Sequence, residues 1–237
     1  MTGKLALLAA LAAAAAFAQG RKPDGPQPPV VDPGGAGKAP SDAVVLFGGA
    51  DVSGWETRDG APSKCEASGG EMVCRTGAGH VFTKERFRNA QLHVEFNVPL
   101  MADQSGQRRG NSGVYLLGRY EIQILDSWDN PTYANGACGA LYGQSAPLVN
   151  ASRKPGEWQS FDIVFHAPKC AADGSVATPG RLTLFHNGVL VQDNVPVSGK
   201  RGCAEEGPLM LQDHSGFKNP PKTEMRFRNI WLRRLPD

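Results

Sequence analysis

Glu121 and Gln123 stand two residues apart in Arg119-Tyr120-Glu121-Ile122-Gln123-Ile124. On an extended strand their side chains leave the same face, roughly 7 Å apart, opposite Tyr120, Ile122 and Ile124. A carboxylate beside a carboxamide can hold sugar hydroxyls or move a proton. The plainer reading is a solvated strand face, the default for a half-buried strand. Arg119 shares that polar face. A second set is Leu211-Gln212-Asp213-His214, in which Gln212 and His214 share one face and Asp213 takes the other. Histidine is the side chain best suited to proton transfer near neutral pH, and a strand-end histidine bonded to a loop carbonyl is the alternative. Tyr133, Tyr142 and Trp158 fall near strand ends or loops, where an aromatic ring stacks on a sugar or packs in a core. Tyr142 lies in Gly139-Ala140-Leu141-Tyr142-Gly143, whose glycines let a ligand approach the backbone closely.

Other chemistries lack their signals. The chain has no Gly-x-Gly-x-x-Gly after a strand, no phosphate-cradling Gly-Lys-Ser/Thr loop and no Gly-x-Ser-x-Gly elbow. No motif implies a cofactor. Asp126, Asp129 and Asn130 crowd one loop and leave room for a divalent cation such as calcium, although the same composition is ordinary turn chemistry. Zinc is weakly served, with no Cys-x-x-Cys pair and no clustered histidines. The formal net charge of +2 does not point to nucleic acid or an acidic membrane.

The elements that must position these residues are strands. Leu92, Val94 and Phe96 alternate with Gln91, His93, Glu95 and Asn97. Phe161, Ile163 and Phe165 alternate through Ser160 to His166. Arg181 to Gln192 predicts two strands around His186-Asn187-Gly188, a strong hairpin signal. Pro208 to His214 and Met225 to Leu232 add two more, the last with a phase shift that predicts a bulge near Arg228-Asn229. No helical period is sustained beyond the N-terminal run. With 29 Gly and 18 Pro, the pattern predicts an all-β, two-sheet antiparallel jelly-roll sandwich, with a closed barrel as the alternative.

Residues 1–18 predict a signal peptide: Lys4, an apolar run from Leu5 to Phe17, and the cleavage pattern Ala16-Phe17-Ala18. The run is short for a membrane span, so export to the periplasm or the exterior is expected, with no membrane association after cleavage. Residues 19–42 are a Pro/Gly-rich linker with little apolar surface to bury, and residues 43–237 form one folded domain. Five cysteines suit an oxidising compartment. A bridge could join Cys65 and Cys74 across a hairpin, and another Cys170 and Cys203. Cys138 is then left over, and pairing is not readable from sequence.

The segment Leu46-Phe47-Gly48-Gly49-Ala50-Asp51-Val52-Ser53-Gly54-Trp55 resembles the opening of the 3-keto-disaccharide hydrolase family. Gly110-Asn111-Ser112-Gly113-Val114-Tyr115, Tyr120 to Asp126, Gly139 to Gly143, Gly156-Glu157-Trp158, Asn187-Gly188-Val189, Leu211 to His214 and Phe227 to Ile230 follow in that family's order. The resemblance implies a concanavalin A-like jelly roll with a concave binding face. It also implies cleavage of glycosides already oxidised at C3, with the oxidation left to a separate sugar 3-dehydrogenase. A C3 ketone acidifies the C2 hydrogen; a base removes it, the C1 substituent leaves, and water adds. On that reading Glu121 transfers the proton and His214 is a second acid/base or an oxyanion partner. Asn111, Gln123 and Gln212 hold hydroxyls, Arg119 joins the substrate-binding set, and Tyr142 and Trp158 pack the ring. Glu95 and His93 are a reserve pair. A non-catalytic carbohydrate-binding module is the competing function. A conventional glycosidase is disfavoured because Gln123 stands where a second acid would fall.

Overall fold

The computed structural model describes residues 25–35, 38–198, 202–215 and 220–237. The leader expected over residues 1–18 lies outside the described residues. Chain contacts divide the protein into Met1–Asp32 and Pro33–Asp237. The described part of the first unit, residues 25–32, carries no helix or strand. No described helix is long and apolar enough to cross a membrane.

The second unit is built from β1 (Val44–Phe47), β2 (Trp55–Glu56), β3 (Glu66–Ser68), β4 (Glu71–Arg75), β5 (Val81–Phe87) and β6 (Ala90–Asn97). It continues with β7 (Ser112–Leu116), β8 (Tyr120–Ile124), β9 (Trp158–His166), β10 (Lys169–Cys170) and β11 (Val176–Thr178). β12 (Gly180–His186), β13 (Val189–Val197), β14 (Gly207–Leu211) and β15 (Glu224–Arg234) complete it. Eight strands form one sheet in the order β13-β12-β9-β6-β15-β4-β3, with β1 also paired to β15. Five form the other, in the order β2-β5-β14-β7-β8. The strand pairs are antiparallel, and β10 and β11 make a separate ribbon. The architecture is thus the expected two-sheet sandwich and not a closed barrel.

Period-two alternation explains the core. Leu92, Val94 and Phe96 of β6 and Phe161, Ile163 and Phe165 of β9 share one buried cluster with Val114 and Leu116 of β7, Ile122 and Ile124 of β8, and Leu209 and Leu211 of β14. Transfer of this apolar surface out of water is the main force holding the sheets together. The β12–β13 hairpin turns at Asn187 and Gly188, whose φ values of 52° and 79° suit a tight primed turn. The predicted bulge in β15 is present: register against β6 shifts between Arg228 and Trp231, and Asn229 has φ 48°.

Both cystines form, Cys65 with Cys74 and Cys170 with Cys203. Cys138 is free and buried, and burial pushes its thiol up to about 12, so it stays protonated.

Candidate active site

The outward face of β8 is not solvated. Glu121 is 8% exposed and Gln123 1%. Two segments cover it. Residues 139–142 run along the open edge of β8, where Gly139 N donates to Gln123 O at 2.9 Å, Gln123 N to Ala140 O at 3.0 Å and Tyr142 N to Glu121 O at 2.9 Å. The 3-10 turn Gly106–Arg108 brings Gln107 over the same face. A cleft of about 180 Å³ remains, lined by Gln107, Asn111, Tyr115, Glu121, Gln123, Tyr142, Gln212 and His214.

Strand register builds this cleft. Tyr115 of β7 lies directly opposite Glu121, and Gly113 opposite Gln123. On β14, Met210 pairs with Tyr115. That strand ends at Leu211, sooner than the alternation predicts, because the next residues turn to other partners. Gln212 N donates to Gly113 O at 3.0 Å and Asp213 N to His80 Nδ1 at 3.1 Å. The Asp213 carboxylate accepts from Gly77 N at 3.0 Å, Gly79 N at 2.9 Å and Ser215 Oγ at 2.9 Å. This anchorage leaves Gln212 and His214 lining the cleft. Gly113 leaves the room that the Glu121 carboxylate and the Tyr115 ring occupy: a Cβ there would sit 2.9 Å from Glu121 Oε1 and 3.0 Å from Tyr115 Cε2.

The floor is a chain of neutral hydrogen bonds. Gln107 Nε2 donates to Thr132 Oγ1 and Gly136 O, both at 2.9 Å, and Asn111 Nδ2 donates to Gln107 O at 2.8 Å. In one orientation the Gln123 amide donates to Gln107 Oε1 at 3.0 Å; turned over, it donates to Glu121 Oε1 and Ser112 O, both at 3.2 Å. Gln212 Nε2 donates to Tyr115 Oη at 2.9 Å. Asn111 Oδ1 and Gln212 Oε1 are buried with no partner among the described residues, so both are acceptors whose capacity the described residues do not fill. Tyr142 Oη lies 2.5 Å from Tyr133 Oη. Desolvation, Tyr142 and the charge of Glu121 together push Tyr133 up to about 12, so it remains a neutral donor. Burial lowers His214 below its ordinary value, which leaves the imidazole uncharged at neutral pH.

Six expected residues thus meet: Glu121, His214, Asn111, Gln123, Tyr142 and Gln212. Arg119 does not line the cleft; it lies in the turn before β8, its Nη1 3.1 Å from where a Cβ on Gly202 would stand. Trp158 is also displaced. It opens β9 in the eight-stranded sheet, alternates with core residues, and carries Arg228 over its ring at 4.0 Å, on the side of the sandwich away from the cleft. The reserve pair occupies that same far face. His93 Nδ1 contacts Asp162 Oδ1 at 2.6 Å, and Glu95 holds Arg228 at 2.6 Å and Asn229 at 2.9 Å, a polar network that clasps β6, β9 and β15. The Asp126–Asn130 loop shows turn chemistry. Asp126 pairs with Arg109 at 2.7 Å, while Asn130 donates to Asp126 O at 2.6 Å and accepts from Gly106 N at 2.7 Å. Gln107 and Tyr115 are cleft residues that sequence reasoning did not assign. Tyr115 was within reach, because alternation from Gly113 places it on the polar face; Gln107, in an irregular turn, gives no periodic signal.

The fold and cleft define a β-sandwich that carries one buried carboxylate, one neutral imidazole and several carboxamides on the open face of its smaller sheet. A family model described as a 3-keto-alpha-glucoside-1,2-lyase-like domain matches residues 42–233, and the chain belongs to that family. A crystal structure of a candidate glycosyl hydrolase from Parabacteroides distasonis is 40% identical, with TM-score 0.83, covering 91% of this chain and 95% of that one. Two more structures so described from the same organism share the fold at 19% and 20% identity, with TM-scores 0.59 and 0.57. The first covers 82% of this chain and 94% of that one, the second 81% and 99%. No curated protein matches the chain.

Proposed function

We propose that this protein is a carbohydrate-active enzyme that cleaves glycosides bearing a ketone at C3, by elimination followed by hydration. The observation that carries the reading is the meeting of Glu121 and His214 over one cleft with carboxamides around them. Glu121 takes the C2 proton. The C–H electron pair becomes the C1–C2 double bond, and the C1–O bond breaks with its electrons on the leaving oxygen. The Glu121 proton passes to that oxygen, which lies on the carbon next to C2. The neutral His214 imidazole donates a hydrogen bond to the C3 oxygen while it carries enolate charge, a role that does not require a charged histidine. Asn111 Oδ1 and Gln212 Oε1 take sugar hydroxyls, and Tyr142 lines the ring. Water adding across the double bond yields the 3-keto sugar. The oxidation that makes the substrate belongs to a separate dehydrogenase, and the two cystines fit a periplasmic or secreted setting.

Turnover of a 3-keto-glycoside by purified protein tests this. Glu121→Gln should lower kcat by about 10²–10⁴-fold, the scale of a lost acid–base group. Unchanged turnover in that variant would remove Glu121 from the chemistry. Saturable sugar binding with no product would favour a binding module.

A further inference from the structure

The cleft does not end at His214. A second lobe of about 610 Å³ adjoins the first, and Tyr115, Gln212 and His214 belong to both. Glu121 lines only the smaller lobe. On the reading above, which this inference extends, the oxidised ring occupies the smaller lobe and the leaving group projects into the larger one.

The larger lobe borders an apolar cluster to which it contributes Tyr115 and Met210. Phe82, Tyr115 and Met210 form an apolar cluster separate from the core between the sheets. It lies on the open face of β5, β7 and β14, where packing the sandwich does not require it. Arg58 stands at its rim, exposed, with its guanidinium carbon 5.3 Å from the centre of the Phe82 ring. Arg58 enters none of the ion pairs found among the described residues. Asp213 is the carboxylate of this lobe, and three donors from the protein already hold it. Glu56, the cross-strand neighbour of Phe82, does not line the lobe. Tyr115 and Met210 of this cluster line the lobe among the polar side chains of His80, Gln212, Asp213, His214 and Ser215, and that small apolar patch beside an uncommitted guanidinium suits a flat organic group carrying an anion.

We infer that the larger lobe is a leaving-group site selective for a carboxylated aromatic aglycone, with Arg58 as the residue that reads the carboxylate. Binding can be measured apart from catalysis, because an unoxidised glucoside lacks the ketone. Calorimetric titration of 4-carboxyphenyl glucoside and phenyl glucoside of the same anomeric form should show about fivefold tighter binding of the carboxylated one, the scale of a partly exposed ion pair. The preference should shrink as ionic strength rises past about 0.1 M. Arg58→Gln should abolish it with phenyl glucoside affinity unchanged, and Arg58→Lys should retain it. Equal affinities in the wild type, no binding of either glucoside, or a preference that survives Arg58→Gln would each overturn the inference. Failure to turn over 3-keto phenyl glucoside, with the binding preference intact, would instead count against the acid–base chemistry alone.

Discussion

Gly113→Ala separates positioning from folding. Gly113 has no positive φ, so alanine can adopt its backbone. The added methyl would lie 2.9 Å from Glu121 Oε1, 3.3 Å from Glu121 Cγ and 3.0 Å from Tyr115 Cε2. Ordinary contact begins near 3.4 Å, so the carboxylate must move by at least several tenths of an ångström. The obstructing oxygen is the end of a rotatable side chain, so the strain relaxes by turning Glu121 away, and the overpacking cost stays at the low end of about 1–3 kcal/mol. Replacing glycine also removes freedom from the unfolded chain, worth about 0.4–1 kcal/mol in the opposite sense. Thermal unfolding should therefore shift little. Turnover should not be spared, since a reacting group misplaced by about 1 Å loses on the order of 10²-fold in rate. The assay is kcat on a 3-keto-glycoside beside a thermal melt of the same sample. Full turnover with an unchanged melt would refute the claim that the carboxylate must stand where Gly113 leaves room.

Two stability effects follow from buried ionisable groups. Burial holds His186 at about 4, below its ordinary 6.5, so the unfolded chain takes up a proton first as pH falls. Stability from keeping this imidazole neutral is present above about 6.5 and lost as pH falls toward 4, on the order of 3 kcal/mol in all. In His186→Gln the difference in unfolding free energy between pH 7 and pH 4 should shrink by that order, and an unchanged difference would clear His186 of the effect. Asp126→Asn removes the charge opposite Arg109 from a carboxylate that is wholly buried. Urea unfolding should show a loss of about 3 kcal/mol, as for other broken buried pairs, and a change below about 0.5 kcal/mol would mean that the pair contributes little.

Alternation carried much of the fold. It placed Leu92, Val94 and Phe96 in the core, predicted the turn at Asn187-Gly188, and located the slip at Arg228-Asn229. The same rule could not say where His93 and Glu95 would stand relative to the cleft, for a definite reason. A period of two tells which face of its own strand a side chain takes; it does not tell which of two sheets the strand joins, or which outward face the cleft occupies. Trp158, which the family resemblance assigned to the sugar ring, opens β9 on the larger sheet instead. Glu121 and His214 lie about ninety residues apart, and only the pairing of β14 with β7 and of β7 with β8 brings them together. Gln107 escaped because a three-residue 3-10 turn has no periodicity to read, though it ties together Asn111, Gln123 and the Gly136 carbonyl.

The sign of the charge that forms during reaction favours the elimination reading over ordinary glycoside hydrolysis. A retaining or inverting glycosidase passes through a cationic, oxocarbenium-like state and uses two carboxylates. The lobe that holds Glu121 contains no second acid; residue 123 is a glutamine, and Asp213 is held by backbone amides in the adjoining lobe. Loss of a proton beside a ketone creates negative charge on oxygen instead. Uncharged N–H and O–H donors stabilise such charge, whereas a second carboxylate would oppose it. One base, a neutral imidazole and surrounding amides form a donor-rich set, and that composition suits an enolate far better than a carbocation.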